Sequence, residues 1–287
     1  MTVSQDIINL FDRFTHGGMD RRTFMQRLTH LAGGTAAASA LLSVLENNYA
    51  HAEIVAADDS RLKAEDTSYP GPDGAINGYF VRPVEAAKRG SVIVIHENRG
   101  LNPHIRDVAR RVALEGYNAF AVDMLSRDGG TPEDADKARD MIGALDPELN
   151  AQRLAAAVPF LAAHPEGNGK VGSVGFCWGG GMVNELAVRS PGLNAGVAYY
   201  GRQVDAARVA AIKAPLLLQY AENDERINAG IADYEAALKA NGKTYEVFIY
   251  PGAQHAFNND TNEARYNKEA AELAWGRTIE FFKKNLA

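Results

Sequence analysis

The chain has 287 residues, of which 46% are hydrophobic and 23% are charged, and its formal net charge is −6. These values are typical of a folded globular protein and argue against intrinsic disorder. The acidic balance lacks the basic excess of nucleic-acid binders, so no nucleic-acid partner is expected. The single cysteine, Cys177, excludes an intramolecular disulfide and any metal site built on several cysteines.

Residues 1–52 differ in texture from the rest of the chain. Four apolar residues near the start have the i, i+3, i+4, i+7 spacing of one helix face, namely Ile7, Leu10, Phe11 and Phe14. Arg21-Arg22 precedes a weakly apolar, alanine-rich run and the small-x-small site Ala50-His51-Ala52. Together these features resemble a twin-arginine export signal, which would place the protein in the periplasm.

The same segment also fits a helical hairpin that packs on its own domain or on a partner subunit. Asp20 is a good N-cap, Gly33-Gly34 would end that helix, and Thr35 would cap a second helix running to about Glu46. In this interpretation the segment is retained in the cytoplasm and supports a possible homo-oligomer. The apolar run is too short and too interrupted by glycine for a membrane span.

From residue 53 onward, strand-like apolar runs alternate with helical stretches. The expected strands are Ala64–Tyr69, Ile76–Arg82, Ser91–His96, Asn118–Asp123, Lys170–Phe176, Gly196–Tyr200, Pro215–Ala221 and Tyr245–Tyr250. The expected helices are His104–Glu115, Pro132–Leu145, Asn150–His164, Gly180–Arg189, Gly230–Asn241 and Glu263–Lys284. The inner strands are continuously apolar, as in parallel sheets buried on both faces. The pattern predicts one α/β domain over residues 53–287, with a mainly parallel eight-stranded sheet flanked by helices.

The segment Gly175-Phe176-Cys177-Trp178-Gly179 lies between an apolar strand and a helix. It has the G-x-nucleophile-x-G form of a nucleophile elbow, with cysteine in place of serine. The glycines leave room for a sharp turn, and a thiol at a helix N-terminus is favoured as the thiolate. A buried structural cysteine is the alternative. The strand-to-helix context favours the nucleophile.

Asp224 and His255 each come just after a predicted strand, in the order nucleophile, acid, histidine that α/β-hydrolases use. The carboxyl ends of parallel strands meet at one edge of the sheet, so all three are expected to lie together. His255 is expected to take the thiol proton, and Asp224 is expected to orient the imidazole. The backbone N–H groups of Asn98 and Trp178 are expected to form the oxyanion hole.

These motifs resemble the dienelactone hydrolases, also called carboxymethylenebutenolidases. The matching segments, within roughly Thr67 to Leu286, are His96-Glu97, Gly175–Gly180, Tyr199-Tyr200-Gly201, Asn223-Asp224 and His255-Ala256-Phe257. The resemblance implies an α/β-hydrolase fold and hydrolysis of a small ester or lactone through an acyl-cysteine, without a cofactor. It also implies that Glu97 contacts the resting thiol and helps to activate it when substrate arrives.

The resemblance further implies that arginines bind a substrate carboxylate, for which a guanidinium fork is well suited. Arg127 matches one such position, whereas Asn258-Asn259 occupies the stretch of the second, which leaves dienelactone itself open as the substrate. Arg99 and Arg202, in loops after strands, are candidate replacements. The expected aromatic wall of the pocket is Trp178, Tyr199 and Phe257.

Other functions fit part of the pattern. Thioesters, phosphotriesters and other activated esters are alternative substrates for the same triad. A thiol redox sensor would use a reactive Cys177, but it would lack a second cysteine to resolve a sulfenic acid. The seven histidines show no ligand spacing, so no metal site is expected.

Overall fold

The computed structural model of the protein describes residues 3–49 and 53–287. In these ranges, eight strands form one sheet in the order β1-β2-β4-β3-β5-β6-β7-β8. The strands are β1 (Leu62–Gly71), β2 (Gly74–Pro83), β3 (Arg89–Ile95), β4 (Asn118–Val122), β5 (Gly167–Phe176), β6 (Ala195–Tyr199), β7 (Leu216–Asn223) and β8 (Tyr245–Gln254). Strand β2 runs antiparallel to both β1 and β4, and all the other neighbours are parallel. The predicted mainly parallel eight-stranded sheet is confirmed.

The helices of the described chain flank this sheet and precede it. They are α1 (Gln5–Thr15), α2 (Arg21–Ala32), α3 (Thr35–Leu45), α4 (Pro103–Leu114), α5 (Ala135–Ala144), α6 (Pro147–Ala162), α7 (Trp178–Arg189), α8 (Glu225–Asn228), α9 (Ile231–Ala240) and α10 (Lys268–Leu286). Short 3₁₀ turns span Ser126–Asp128 and Ala206–Ala211. The one-turn helix α8 was not predicted, because four residues are too few to show a helical period. The last helix begins at Lys268 rather than at 263, since Asn267 caps it by accepting a hydrogen bond from the Ala270 N–H.

The sheet is covered on both faces, which explains its continuous apolar strands. Every residue of β4 and β6 is buried. Along β3, Val92 and Val94 belong to one apolar cluster, while Ile93 and Ile95 belong to the cluster on the opposite face. This alternation follows from the two-residue period of a strand. With both faces of the sheet covered, the carboxyl ends of the parallel strands are where a ligand-binding or catalytic site is expected.

The N-terminal helices form a small core of their own. The predicted apolar face of α1 is confirmed, because Ile7, Leu10, Phe11 and Phe14 are all buried. The Phe14 and Phe24 rings stack at 4.4 Å between centroids. Asp20 caps α2 by accepting from the Thr23 N–H, and Gly33 ends α2 with φ of +78°. The predicted cap of α3 was wrong by one residue: Gly34 occupies the N-cap, and Thr35 is the first helical residue.

The extension packs on the carboxyl edge of the sheet of its own chain. Asn98 donates its side-chain amide to the Thr15 carbonyl at 2.7 Å, and Asn262 donates to the Leu45 carbonyl at 2.6 Å. Arg21, the first arginine of the predicted export motif, forms ion pairs with Asp136 and Glu46. The structure thus has the packed hairpin. The export signal stays a prediction, and its Ala50-His51-Ala52 site lies outside the described residues.

No single helix in residues 3–49 and 53–287 is long and apolar enough to cross a membrane. The pair α2 and α3 meets that criterion only when taken together, and the two helices are bent by 112° at their junction.

We expect the Phe24→Ala variant to lower the free energy of unfolding by about 3–5 kcal/mol, because it removes a fully buried ring and leaves a cavity. Urea unfolding followed by circular dichroism measures this change. The control is Leu31→Ala on the same helix, where the side chain is 47% exposed and the change should stay within about 0.5 kcal/mol. Equal midpoints for the two variants would contradict the packing described for the extension.

Candidate active site

Cys177 occupies the sharp turn that the sequence predicts between β5 and α7. Its backbone has φ of 55° and ψ of −114°, and it is the N-cap of α7. A Cβ on Gly175 would collide with the Gly179 carbonyl, and a Cβ on Gly179 would collide with the His96 carbonyl. Both glycines are therefore required by close backbone approach. The thiol is 8% exposed and faces the positive end of the α7 dipole.

Strained backbone is concentrated at this site. In the described ranges, the non-glycine residues with positive φ are Cys177, Tyr200 and Ala256, which follow β5, β6 and β8. Such conformations cost about 1–3 kcal/mol each and persist only where the surroundings enforce them. The Tyr200 ring packs beside the His255 ring, with 5.0 Å between the ring centroids. Ala256 is the residue directly after His255 in the chain. The strain thus accompanies the placement of the nucleophile and the histidine.

The structure brings His255 and Asp224 together as predicted. His255 Nδ1 lies 2.5 Å from Asp224 Oδ2, and both side chains are almost completely buried. With Nδ1–H donated to the carboxylate, the His255 Nε2 atom carries the lone pair and points to the site. This Nε2 atom is buried and has no hydrogen-bond partner in the part of the chain that the structure describes.

A second histidine, which the sequence did not reveal as a site residue, contacts Cys177. His16 ends α1, and its Nε2 atom lies 3.2 Å from Cys177 Sγ. Its Nδ1 atom lies 2.8 Å from the Asp12 carbonyl and 3.1 Å from Asp12 Oδ1. The His16 and His255 rings meet edge to face at 4.8 Å. The thiol therefore lies between two imidazoles, each held by an aspartate.

The electrostatics of this cluster favour a thiolate. Burial alone would raise the pKa of Cys177, but His255 and His16 outweigh it and lower the pKa from its ordinary value of 9.0 to about 6. Burial would likewise lower the pKa of His255, yet Asp224 and Cys177 raise it well above its ordinary value. The pKa of His16 is raised by Cys177 and Asp12 against the effect of burial. Opposite charges thus stabilise one another inside a region with little water.

Glu97 lies in the site but not against the thiol. Its Oε2 atom accepts a hydrogen bond from the Asn259 side chain at 2.7 Å, and its Oε1 atom is buried without a partner among the described residues. The contact with the resting thiol that the resemblance implied is therefore absent from this structure. The partner of Sγ is His16 instead.

The two residues whose backbone N–H groups are expected to bind an oxyanion lie in different segments, at the start of α7 and in the loop after β3. Trp178 is the first residue of α7, so its N–H has no acceptor within the helix. Asn98 lies in the loop after β3, and its side chain is held by the Thr15 carbonyl of the extension. The Trp178 ring stacks on His96 at 5.3 Å, which fixes this side of the site. Their role as an oxyanion hole stays a prediction.

The predicted aromatic wall was partly wrong. Tyr199 is fully buried, and its hydroxyl bonds to Thr278 at 2.7 Å on the core side of the sheet. Phe257 is fully buried too, packed 5.3 Å from the Tyr200 ring. Both side chains therefore lie in the core next to the site and do not form its wall. The sharp turn after β6 makes Tyr200, rather than Tyr199, the ring that contacts His255.

The predicted arginines have different surroundings. Arg127 packs on Gly74 and pairs with Asp73 at 3.8 Å, beside the β1–β2 hairpin, and Arg202 is exposed. Arg99 is buried, and so is Arg265, which the sequence analysis did not single out. Within the described ranges, neither of these two buried guanidinium groups forms an ion pair with a carboxylate.

Arg265 is close enough to Cys177 for the charges of the two side chains to interact. Burial lowers the pKa of Arg265, and the positive charge of Arg99 lowers it further. The negative charges of Asp12, Glu97 and Cys177 raise it. Its guanidinium also lies 5.1 Å from the Phe11 ring of the extension. Two neighbouring buried cations without a carboxylate partner can accept an anionic group of a ligand. No motif marks Arg265 in the sequence, because the loop after β8 folds back to bring it there.

The nucleophile and its two histidines also form a set of atoms that could bind a metal. The ligand atoms of His16, Cys177 and His255 lie within 4.8 Å of one another. Imidazole nitrogen and thiolate sulfur are both ligand types that bind Zn²⁺. The sequence analysis expected no metal site because these residues are not close along the chain. This expectation is not tested by the structure.

The sheet order, the elbow and the paired acid and histidine define an α/β-hydrolase fold with cysteine at the nucleophile position. The model of the dienelactone hydrolase family matches residues 76–286. A carboxymethylenebutenolidase homologue from Saccharolobus solfataricus is 35% identical over 248 residues, covering 74% of this chain and 95% of that protein. The chain belongs to the dienelactone hydrolase family, and it is a hydrolase of ester bonds.

Solved structures agree with this assignment. A dienelactone hydrolase homologue from Klebsiella pneumoniae superposes with a TM-score of 0.71 at 30% identity, covering 78% of this chain and 99% of that one. A dienelactone hydrolase-like promiscuous phosphotriesterase from metagenomic libraries gives a TM-score of 0.71 at 25% identity, covering 79% of this chain and all of that one. The extension of residues 1–52 lies outside the segment that the family model matches.

We expect the rate of Cys177 alkylation by iodoacetamide to rise with pH through a midpoint near 6, because the thiolate, which is the reactive form, exists above the lowered pKa. The same reaction on guanidinium-unfolded protein provides the control, and its midpoint should lie near the ordinary value of 9.0. Coincident midpoints for folded and unfolded protein would contradict the proposed stabilisation by the two histidines.

Proposed function

We propose that the protein hydrolyses small esters or lactones through an acyl-cysteine intermediate on Cys177. The observation that carries this proposal is the position of Sγ at a strained elbow, between two imidazoles that lower its pKa to about 6. A thiolate at neutral pH is a strong nucleophile and needs no further activation. The aspartate that fixes each imidazole supports acid–base chemistry at both sides of the sulfur.

The reaction would proceed in two steps. The thiolate attacks the carbonyl carbon, and the backbone N–H groups of Asn98 and Trp178 bind the resulting oxyanion. An imidazolium gives its proton to the leaving alcohol oxygen, which leaves the acyl group on Cys177. His255, held by Asp224, then takes a proton from water, and the hydroxide displaces the sulfur to release the acid.

The substrate we favour carries a carboxylate or another anionic group. Arg99 and Arg265 are buried beside the site and are not neutralised by an ion pair with a described carboxylate. Burying a cation without a partner costs desolvation free energy, so pairing with an anionic ligand group adds favourable free energy to binding. A cleft of about 1080 Å³ between the extension and the loops after β7 and β8 reaches His255, Asp224 and Arg265, and it offers an entry route.

Phosphotriesters and thioesters are the second class of substrates to test. The structural neighbour named as a promiscuous phosphotriesterase has the same fold at 25% identity. A screen of lactones, aryl esters, thioesters and phosphotriesters against the wild type and Cys177→Ser would rank these classes. A redox sensor is the remaining alternative, and it would show a stable oxidised Cys177 after peroxide treatment together with no ester turnover.

We expect Cys177→Ala to lower the rate of p-nitrophenyl acetate hydrolysis by at least about 10³-fold, because the acyl-enzyme cannot form. His255→Ala should lose steady turnover to a similar extent, since hydrolysis of the acyl-enzyme needs an imidazole to activate water. Initial rates at pH 7 measure both effects. Full activity in Cys177→Ala would end the proposal of a cysteine mechanism.

Replacement of Arg99 tests the proposed anion site. Arg99→Gln should raise KM for an ester that bears a carboxylate by about 10-fold or more, because a bidentate ionic contact is lost. The KM for the matching neutral ester should change little. The control is Arg61→Gln. Arg61 is exposed, lies just before β1 and forms an ion pair with Asp59. Equal changes for the charged and neutral esters would contradict a carboxylate site.

A further inference from the structure

We propose that the N-terminal extension supplies a second catalytic pair, Asp12 and His16, and that His16 rather than His255 exchanges the proton of Cys177. This inference rests on the acyl-cysteine function proposed above. In it, His16 is a catalytic residue because it touches the reacting sulfur, and Asp12 is a positioning residue that acts through His16.

The tautomers of the two histidines follow from their partners. His16 Nδ1 faces the carbonyl and carboxylate oxygens of Asp12, which can only accept, so Nδ1 carries the hydrogen. His255 Nδ1 faces Asp224 Oδ2 and is a donor for the same reason. Each ring therefore presents an Nε2 lone pair to the thiol. A thiol has one proton, so only one of the two rings can take it.

Geometry assigns that proton to His16. His16 Nε2 lies 3.2 Å from Sγ with hydrogen-bond geometry, whereas His255 Nε2 makes no hydrogen bond of suitable distance and angle among residues 3–49 and 53–287. The charges of both rings lower the pKa of Cys177, so it is the directed contact of His16 that distinguishes the two. The resting pair is then a thiolate on Cys177 and an imidazolium on His16. His255 Nε2 stays free to meet a water molecule or the leaving oxygen.

The helices on either side of the contact favour the same charge distribution. Cys177 is the N-cap of α7, where the helix dipole stabilises negative charge. His16 is the C-cap of α1, where the dipole stabilises positive charge. Both dipoles therefore support a proton on His16 and none on Cys177.

Several contacts hold His16 in place and complete its charged surroundings. Asp12 also faces Arg226 of α8 at 3.6 Å, and Asn98 binds the carbonyl of Thr15. The charged or titratable groups that act on His16 are Cys177, Asp12 and His255. Of these, Cys177 and Asp12 raise the pKa of His16, and His255 opposes them. Burial lowers the pKa as well, and the net effect still raises the pKa of His16 above its ordinary value.

The two pairs would divide the two steps of the reaction. In acylation, the C–O bond of the ester breaks as the S–C bond forms, and the His16 imidazolium gives its proton to the leaving alkoxide. In deacylation, His255 removes a proton from water, the new C–O bond forms and the S–C bond breaks. The sulfur departs as the thiolate, and the proton on His255 passes to His16, which restores the resting pair.

The absence of a Glu97–thiol contact agrees with this assignment. Glu97 is bound to Asn259, and His16 occupies the place beside Sγ. Asp12 and His16 lie outside residues 76–286, the segment matched by the family model. The second pair is therefore a property of this chain's extension rather than of the matched domain.

The test compares His16→Gln with His30→Gln, a matched change at an exposed histidine of the same extension. Thiolate formation is followed by absorbance at 240 nm and by the pH dependence of iodoacetamide alkylation. We expect His16→Gln to raise the alkylation midpoint by about one pH unit or more, since it removes the direct partner of the thiolate. His30→Gln should leave the midpoint unchanged.

Pre-steady-state kinetics with p-nitrophenyl acetate separate the two histidines. His16→Gln should slow the acylation burst by about 10-fold or more, while His255→Gln should retain a burst and slow the later steady turnover. Asp12→Asn keeps the imidazole and should shift the thiol midpoint in the same direction by less. Circular dichroism and thermal melting establish that each variant is folded, and Asp12→Asn serves as the test if His16→Gln is not.

Two results would overturn the inference: an unchanged alkylation midpoint in folded His16→Gln and Asp12→Asn, or a larger shift in His255→Gln than in His16→Gln. Neither result would affect the proposed function itself. That function fails separately, if Cys177→Ala retains ester hydrolysis.

Discussion

The site depends on a buried sulfur that is held between two largely buried imidazoles. Charges that are removed from water are costly unless each has a close partner of opposite sign. Cys177 and His16 meet this condition in the proposed resting pair, and Asp12 and Asp224 each bind one of the two imidazoles. Much of the surrounding structure maintains this arrangement, including the glycines at 175 and 179 and the strained backbone at Cys177, Tyr200 and Ala256.

The extension contributes to this pairing as much as the sheet does. Its aromatic core fixes the direction of α1, and the end of α1 carries His16 to the sulfur. Hydrogen bonds from Asn98 and Asn262 join the extension to loops at the carboxyl edge of the sheet. A segment whose composition also resembles an export signal is therefore part of the surroundings of the nucleophile. Cleavage near residue 53 would remove one of the two histidines.

Much of the fold and part of the site could be predicted from sequence, for identifiable reasons. The spacing of apolar residues along a strand or a helix depends on which side chains are buried, so the sheet and the amphipathic α1 were correctly predicted. Cys177, Asp224 and His255 follow the ends of β5, β7 and β8 in a fixed chain order, which makes their meeting a consequence of topology. Tyr200 and Tyr199 are adjacent, and only the observed φ at Tyr200 reveals which ring faces His255.

His16 and Arg265 could not be found in the same way. The contact between His16 and Cys177 joins residues 161 positions apart, and no strand order brings them together. The i, i+4 spacing of Asp12 and His16 was the one local signal, because it places both on one side of a helix. That spacing is common on solvent-facing helices, so it gains meaning only from where α1 docks.

The order of synthesis adds a consequence to this docking. The extension leaves the ribosome first, whereas two of its contacts, Gln254 and Asn262, are among the last parts of the chain to be made. His16 therefore reaches Cys177 only after the sheet has assembled. Until then the thiol lacks one of its two cationic neighbours and stays closer to an ordinary, protonated cysteine. The low pKa of Cys177 therefore belongs to the folded chain with α1 docked and not to the sheet alone.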